Sequence, residues 1–164
     1  MFYKKIPKTR IVLFIPSFCL PLIMDQIAKY YALLVLYGQP PKDVLGGILR
    51  LDFVFNPNGF LGILTHSHNT VKVFLLYFVV LFLVLVGTFF ILKSKKMDNI
   101  QQFFLALALA GGFSNFIDRI IHDEGVVDFL QFSLGPLQSG ICNPADLFIF
   151  IGSGVFGYLI FHKL

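Results

Sequence analysis

Charge is scarce in this sequence. Asp, Glu, Lys and Arg together make up 13% of its 164 residues, against 57% hydrophobic residues and 21 Phe. Soluble domains carry roughly twice that share of charge. With a mean hydropathy of +0.81, the chain reads as a membrane protein. It is long enough for one compact bundle over residues 1–164 and too short for a second sizeable domain. Cysteine is nearly absent as well: Cys19 lies in an apolar run and Cys142 in a polar string. Two such residues build no disulfide framework and read as small apolar side chains, with a single disulfide between them the alternative. Histidine is thin and scattered, at His66, His68, His122 and His162, and no HExxH occurs. A zinc protease is therefore set aside and no metal or other cofactor is expected. No Ser–His or Cys–His pairing and no phosphate-cradling glycine loop is present either.

The net charge of +4 could suggest nucleic acid, but its placement does not. Eight of the 13 Lys and Arg fall at Lys4, Lys5, Lys8 and Arg10, at Lys93, Lys95 and Lys96, and at Lys163. These flank apolar runs and act as topology signals rather than a phosphate-binding face. The basic start followed by Ile11 to Ile15 resembles a signal peptide. The apolar stretch continues past Cys19 to Asp25 without a small-x-small cleavage site, so an uncleaved first span is expected.

Four spans are predicted, at about residues 11–34, 73–92, 98–119 and 143–161. The first contains Pro16 and Pro21, which a bundle tolerates. The second has 20 residues without a charge, enough for a ~30 Å hydrocarbon core. Small residues in the third (Ala106, Ala108, Ala110, Gly111, Gly112) and the fourth (Gly152, Ser153, Gly154, Gly157) suit close helix packing. Ser153 admits a rhomboid-like serine centre, but no His is placed to activate it, and packing is the heavier reading. The positive-inside rule puts residues 93–96 and both termini in the cytoplasm, and residues 35–70 and 120–142 outside. In residues 49–55 apolar positions alternate with mostly polar ones, which predicts a half-buried strand ending at the turn Asn56-Pro57-Asn58-Gly59. A small sheet on the membrane surface follows, and residues 125–132 are expected to add a short extended piece.

Against this background the ionisable residues near the outer ends of the spans stand out, since a charge at membrane depth costs on the order of 2.5–3.5 kcal/mol and argues for a task. Asp128 in Gly125-Val126-Val127-Asp128-Phe129 and Asp146 in Asn143-Pro144-Ala145-Asp146 are two carboxylates at matching depth, suited to shared acid–base work. Asn143 as N-cap with Pro144 and Asp146 is also ordinary grammar for a helix start. Asp25 and Lys29 are four apart on the first helix and can pair, either as a structural ion pair or as a polar post beside the site. Asn115, Asp118 and Arg119 share a face near the end of the third span. Arg119 is expected to be the counter-charge that keeps part of the acidic cluster Asp118, Asp123, Glu124 and Asp128 ionised, with an anchor at the helix end the alternative.

With these residues in hand, the sequence resembles the bacterial lipoprotein signal peptidases (signal peptidase II) along nearly its whole length. The resemblance rests on Asp25-Gln26-x-x-Lys29, Asn56 with Gly62, Gly111-Gly112-x-x-Asn115-x-x-Asp118-Arg119, Val126-Val127-Asp128-Phe129 and Asn143-x-Ala145-Asp146. It implies a four-helix membrane peptidase with a small extracytoplasmic sheet, sited in the cytoplasmic (inner) membrane with its active site on the outer face. The implied activity is removal of signal peptides from diacylglyceryl-modified prolipoproteins, on the amino side of the lipidated cysteine. The catalytic aspartates carry over to Asp128 and Asp146, and the supporting polar residues to Asp25, Lys29, Asn56, Asn115, Arg119 and Asn143, with Asp118 beside them. Local departures are Asn58 and Ser114, where the family usually has Gly, and Cys142, where it usually has Phe. Asn58 is read as tolerating positive φ in glycine's place.

Physically, two carboxylates sharing one proton can act on one water. As a hypothesis, Asp146 at the helix N-terminus is the ionised member, and Asp128, on a loop, holds the proton. The alternative is a non-enzymatic proton-coupled carrier, which should show polar groups continuing through the membrane. The second span has none, and the inner halves of the other spans are expected to have almost none.

Overall fold

The structure is a computed structural model that describes residues 6–59 and 64–162. Lys4, Lys5 and Lys163 among the topology signals, and Gly62 in the family motif, lie outside those residues. Four helices, each long and apolar enough to cross a membrane, follow the four apolar runs: Lys8–Leu36, Asn69–Lys93, Asn99–Ile121 and Pro144–Phe161. We number them as spans one to four. The first exceeds its predicted limits at both ends and, at 29 residues, is about 43 Å long. In its basic first turn Lys8 is exposed, so its head can stay in water. The second span starts four residues before residue 73, with the His68 ring accepting from Thr70 N (3.3 Å) as its cap. Between Phe74 and Val79 it winds as a π-helix, which a uniformly apolar run gives no means of predicting. The third span opens on a capping box between Asp98 and Gln101, a signature of a helix start.

Outside the spans lies a four-stranded antiparallel sheet in the order β1 (Lys42–Val44), β2 (Leu49–Asn56), β3 (Val126–Leu134) and β4 (Leu137–Gln138). The extended piece expected at 125–132 is thus a full nine-residue strand. An irregularity between Leu51 and Val54 shifts the β2–β3 register, after which Val54 faces Asp128 and Asn56 faces Val126. The alternation in β2 does not become a clean half-buried pattern: Phe53 and Phe55 pack with Ala28, Ala32 and Leu36 of the first span, yet nearly every β2 residue stays partly covered.

Glycine sets the helix spacing. A Cβ at Gly111 would come within 2.4 Å of Ala145 O, and one at Gly152 within 2.7 Å of Phe104 O and Ala108 N. The third and fourth spans therefore meet backbone to backbone, as small residues allow in lipid. Ser153 belongs to the helix surface, its hydroxyl turned back to Ile149 O at 2.5 Å. Away from the sheet Val84, Ile91, Met97, Ala106 and Leu109 form an apolar core. A polar clasp closes it: Arg10 donates to Gln102 Oε1 (3.0 Å) and to Met97 O, while the buried Gln102 donates to Arg10 O (2.8 Å). The expectation that the inner halves lack polar groups is corrected here. The clasp satisfies itself within the bundle and ties the start of the first span to that of the third.

Candidate active site

Two elements distant in sequence meet at the sheet end of the bundle. Leu130 and Cys142 exchange backbone hydrogen bonds at 2.8 Å, so the residue before the fourth span is pinned to β3. The chain then turns into the helix at Asn143, whose side chain accepts from Asp146 N (2.9 Å), the N-cap role its sequence predicts. This connection brings Asp146, in the first turn of the fourth span, beside Asp128 near the start of β3. Asp128 is on a strand rather than on a loop, which corrects the sequence reading. Asn143 touches both carboxylates: its Nδ2 donates to Asp128 Oδ1 (2.6 Å) and its backbone N–H to Asp146 Oδ2 (3.3 Å). Asn56 Nδ2 donates to the other Asp128 oxygen at 2.8 Å, and Asn115 Nδ2 to Asp146 Oδ1 at 2.9 Å. Both carboxylates are buried. Burial, and then the neighbouring negative charge of Asp146, pushes the Asp128 carboxyl up to about 7.

Beneath this pair lies a second polar layer. Lys29 Nζ is 2.7 Å from Asp25 Oδ2 and 2.9 Å from Asp118 Oδ2, and it donates to Asn115 Oδ1 at 2.7 Å. The predicted Asp25–Lys29 pair is therefore a triad with Asp118. Asp25 reaches the fourth span as well, accepting from Ala145 N at 2.8 Å, so it caps a helix 120 residues away. One asparagine, Asn115, separates the ammonium of this layer from Asp146.

The profile of Signal peptidase (SPase) II matches residues 17–162. The chain belongs to the signal peptidase II family. It is 31% identical to the lipoprotein signal peptidase of Treponema denticola over 141 residues, covering 82% of each chain. It is 32% identical to that of Desulforapulum autotrophicum over 142 residues, covering 86% of this chain and 87% of the relative. Two bacterial membrane enzymes solved by the in meso method, at 2.3 and 1.9 Å resolution, share the fold at TM-scores of 0.74 and 0.76. They are 23% and 22% identical to it, and the alignments cover 99% and 98% of this chain and 93% and 97% of theirs.

The signal peptidase II motifs thus converge on one site: Asp25, Lys29, Asn56, Asn115, Asp118, Asp128, Asn143 and Asp146 form one connected network. Arg119 is the exception. Rather than ion-pairing with the acidic cluster, its Nη1 donates to Asn115 O (2.8 Å), an end-of-helix anchor, while Asp118 turns to Lys29; Asp146, Asp128 and Asp118 still act on its charge from a distance. The reason is helical geometry: the i–4 carbonyl lies within reach of the guanidinium, while Asp118 faces the first span and also accepts from Val127 N at 3.1 Å. Asp123 and Glu124 stay exposed, outside the network. Asn58 is corrected too: among the described residues Leu45 is the only non-glycine with positive φ, and Gly59 (φ 79°) supplies the left-handed step of this turn. Three participants were missed. Gln26 Nε2 bonds Ser114 Oγ (2.9 Å) and Asp118 Oδ1 (2.8 Å), Ser114 Oγ donates to Asp25 Oδ2 (2.7 Å), and Lys72 donates to Asn58 Oδ1 (2.6 Å). For Gln26 the signal was its place beside Asp25. Lys72 gave none beyond its position just ahead of an apolar run.

Proposed function

We propose that this chain is an aspartic endopeptidase that removes signal peptides from diacylglyceryl-modified prolipoproteins, cutting on the amino side of the lipidated cysteine. Asp128 and Asp146 are its catalytic pair. The observation that carries the reading is the bridging of two buried carboxylates by Asn143, with only amide donors on their four oxygens. Two carboxyls so arranged share a proton readily, because a second negative charge in the same buried site is disfavoured. Asp146 accepts from Asn143 N and Asn115 Nδ2 at the positive end of the fourth span, which favours its ionised form. Asp128, pushed up to about 7, holds the proton.

In the reaction, Asp146 takes a proton from a water as the water oxygen bonds the scissile carbonyl carbon. Asp128 donates a hydrogen bond to the developing oxyanion. The tetrahedral intermediate then collapses with cleavage of the C–N bond, and the proton gained by Asp146 goes to the leaving amine. Asn56, Asn115 and Asn143 fix the carboxylates. Asp25, Lys29 and Asp118 hold the helices that carry them, and Arg119 attracts the Asp146 carboxylate from beyond ion-pair distance. The site faces outward from a bacterial cytoplasmic membrane, as the basic residues at 8–10 and 93–96 direct, and the acyl chains of the substrate remain in the bilayer. A proton-coupled carrier gains no support: the inner clasp and the outer network are separated by apolar layers.

The test uses the purified protein in detergent with a diacylglyceryl-modified precursor and the same precursor unlipidated. Cleavage confined to the lipidated form, ahead of the cysteine, is expected. Failure to cut the lipidated form would overturn the reading. Orientation is tested separately by membrane-impermeant thiol labelling of Ser67→Cys, expected to react from outside, and of Ser94→Cys, expected to be protected.

A further inference from the structure

The turn that carries Asn56 is held from the second span, a helix that supplies no residue to the carboxylate network. Lys72 Nζ donates to Asn58 Oδ1 at 2.6 Å. Asn58 N in turn donates to Asn56 Oδ1 at 2.9 Å, closing an Asx turn. With its oxygen so engaged, Asn56 is oriented to give its Nδ2 both to Gly59 O (2.9 Å) and to Asp128 Oδ2 (2.8 Å). The same helical face supports the turn a second time: a Cβ on Gly59 would come within 3.0 Å of Leu76 Cδ2, and Leu76 is four residues on from Lys72. Below, Gly125 abuts the backbone of Asn56 and Pro57 so closely that a Cβ would lie 2.5 Å from Asn56 O. The turn therefore has a floor, a wall and one charged tether.

We propose that Lys72 and Asn58 are a positioning pair for the reaction: the ammonium on the second span fixes the Asn58 side chain, which sets Asn56 against Asp128. The assignment rests on the peptidase reading above and adds to it a residue pair outside the family motifs. Of the two partners, Lys72 is half-buried on the first turns of the second span.

The consequence is specific. A hydrogen bond from Asn56 favours the charged form of Asp128, so loosening Asn56 moves Asp128 titration to higher pH. The other charged groups facing Asp128 are Asp146 from the fourth span, Lys29 from the first and Arg119 from the third, and none is altered by changes at 58 or 72. Lys72→Met and Asn58→Gly are each expected to lower kcat for a lipid-modified precursor roughly tenfold with KM unchanged, since small misplacements of a positioned group reach 10²-fold. The double variant should be no slower than either single one, because both cut the same tether. Lys72→Arg should restore most of the rate, and Lys42→Met, an exposed charge on β1, should change nothing.

A readout independent of cleavage is the infrared carbonyl band of protonated Asp128, identified by its loss in Asp128→Asn. Its disappearance with rising pH should move upward in Lys72→Met and Asn58→Gly and stay in place in Lys42→Met. This band decides the proposal even if the precursor is not cut, in which case the peptidase reading alone fails. An unmoved band in both variants, an equal shift in Lys42→Met, or rate losses that multiply in the double variant would each overturn the pair.

Discussion

Four carboxylates are buried in two adjacent layers of this molecule, and the layers are built differently. In the lower one Asp25 and Asp118 both lie within 2.9 Å of the Lys29 ammonium. In the upper one Asp128 and Asp146 receive amide hydrogen bonds, and among the described residues no cation reaches them at ion-pair distance. The lower layer shares one ammonium between its two carboxylates, and its oxygens also accept from Ala145 N and Val127 N, so it fastens the third and fourth spans and β3 to the first. The upper layer is satisfied in hydrogen bonds yet not in charge. A cation beside the upper pair would favour ionisation of both of its carboxyls. The proposed mechanism uses this difference, since it moves a proton at the upper pair.

The sharpest way to break this comparison is to remove the titrating proton above. Asp128→Asn and Asp146→Asn preserve size and most hydrogen bonding. Each should lower precursor cleavage by at least about 10²–10⁴-fold, the contribution of a positioned acid or base. The double variant should be scarcely slower than either single one, since the two act as one unit. Glu124→Gln, on the exposed loop before β3, should keep nearly full activity. Initial rates at matched protein levels check this; substantial cleavage by either single variant would end the aspartic mechanism.

In the lower layer the expected damage is to stability. Asp25→Ala leaves Lys29 with one carboxylate and strands the N–H of Ala145, and breaking such a buried pair costs about 3–5 kcal/mol. The exposed Asp43 on β1 is the fitting control, because Asp52 is half-buried; Asp43→Ala should stay within about 0.5 kcal/mol of the parent. Thermal unfolding in detergent measures both. Asp25→Ala unfolding at the parent temperature would mean the triad fastens nothing.

How much of this was legible beforehand follows the same division. Asp25 and Lys29 are four apart on one helix, so their pairing could be read from helical spacing alone. Asn143 and Asp146 announced a helix start, and the structure keeps it. What could not be read is any partner chosen by tertiary geometry. Asp118 had an adjacent Arg119 in sequence, but the side chain faces the first span and takes Lys29. The Leu130–Cys142 bridge that sets Asp128 beside Asp146 joins residues with no local pattern between them. The same holds for the π-helical stretch of the second span, whose uniformly apolar sequence carries no periodicity to interpret, and for the inner Arg10–Gln102 clasp, which spans 92 positions.

The upper layer should also leave a mark on the pH dependence of stability. Asp128 titrates at about 7 in the folded protein against an ordinary value of 3.8. The folded state therefore holds a proton that the unfolded state has lost between these values. Linkage gives the sign: the contribution is fully present below 3.8, falls as pH rises through about 7, and is level beyond. Unfolding of the parent should thus lose stability across this window, and Asp128→Asn should flatten that part of the slope. Equal slopes in parent and variant would place the burden of the shared proton elsewhere.

The smallest effect expected is at Cys142, and it reports on the charge of the upper layer without touching it. Its thiol is buried and donates to Leu130 O at 3.3 Å, and the residue is a free cysteine. Burial, then the nearby Asp146 and Asp128, push its pKa up to about 12. Only the thiolate is nucleophilic, so alkylation by a small maleimide at pH 8 should be far slower than at the partly exposed Cys19. Asp146→Asn removes one of the two charges and should quicken the Cys142 reaction modestly, by a factor of a few, with Cys19 unchanged as the internal reference. Cys142→Ala, in contrast, should leave cleavage within about twofold of the parent, since the hydrogen bonds that pin this residue to β3 come from its backbone. If Asp146→Asn left the Cys142 rate where it was, the negative charge assigned to Asp146 would not be there.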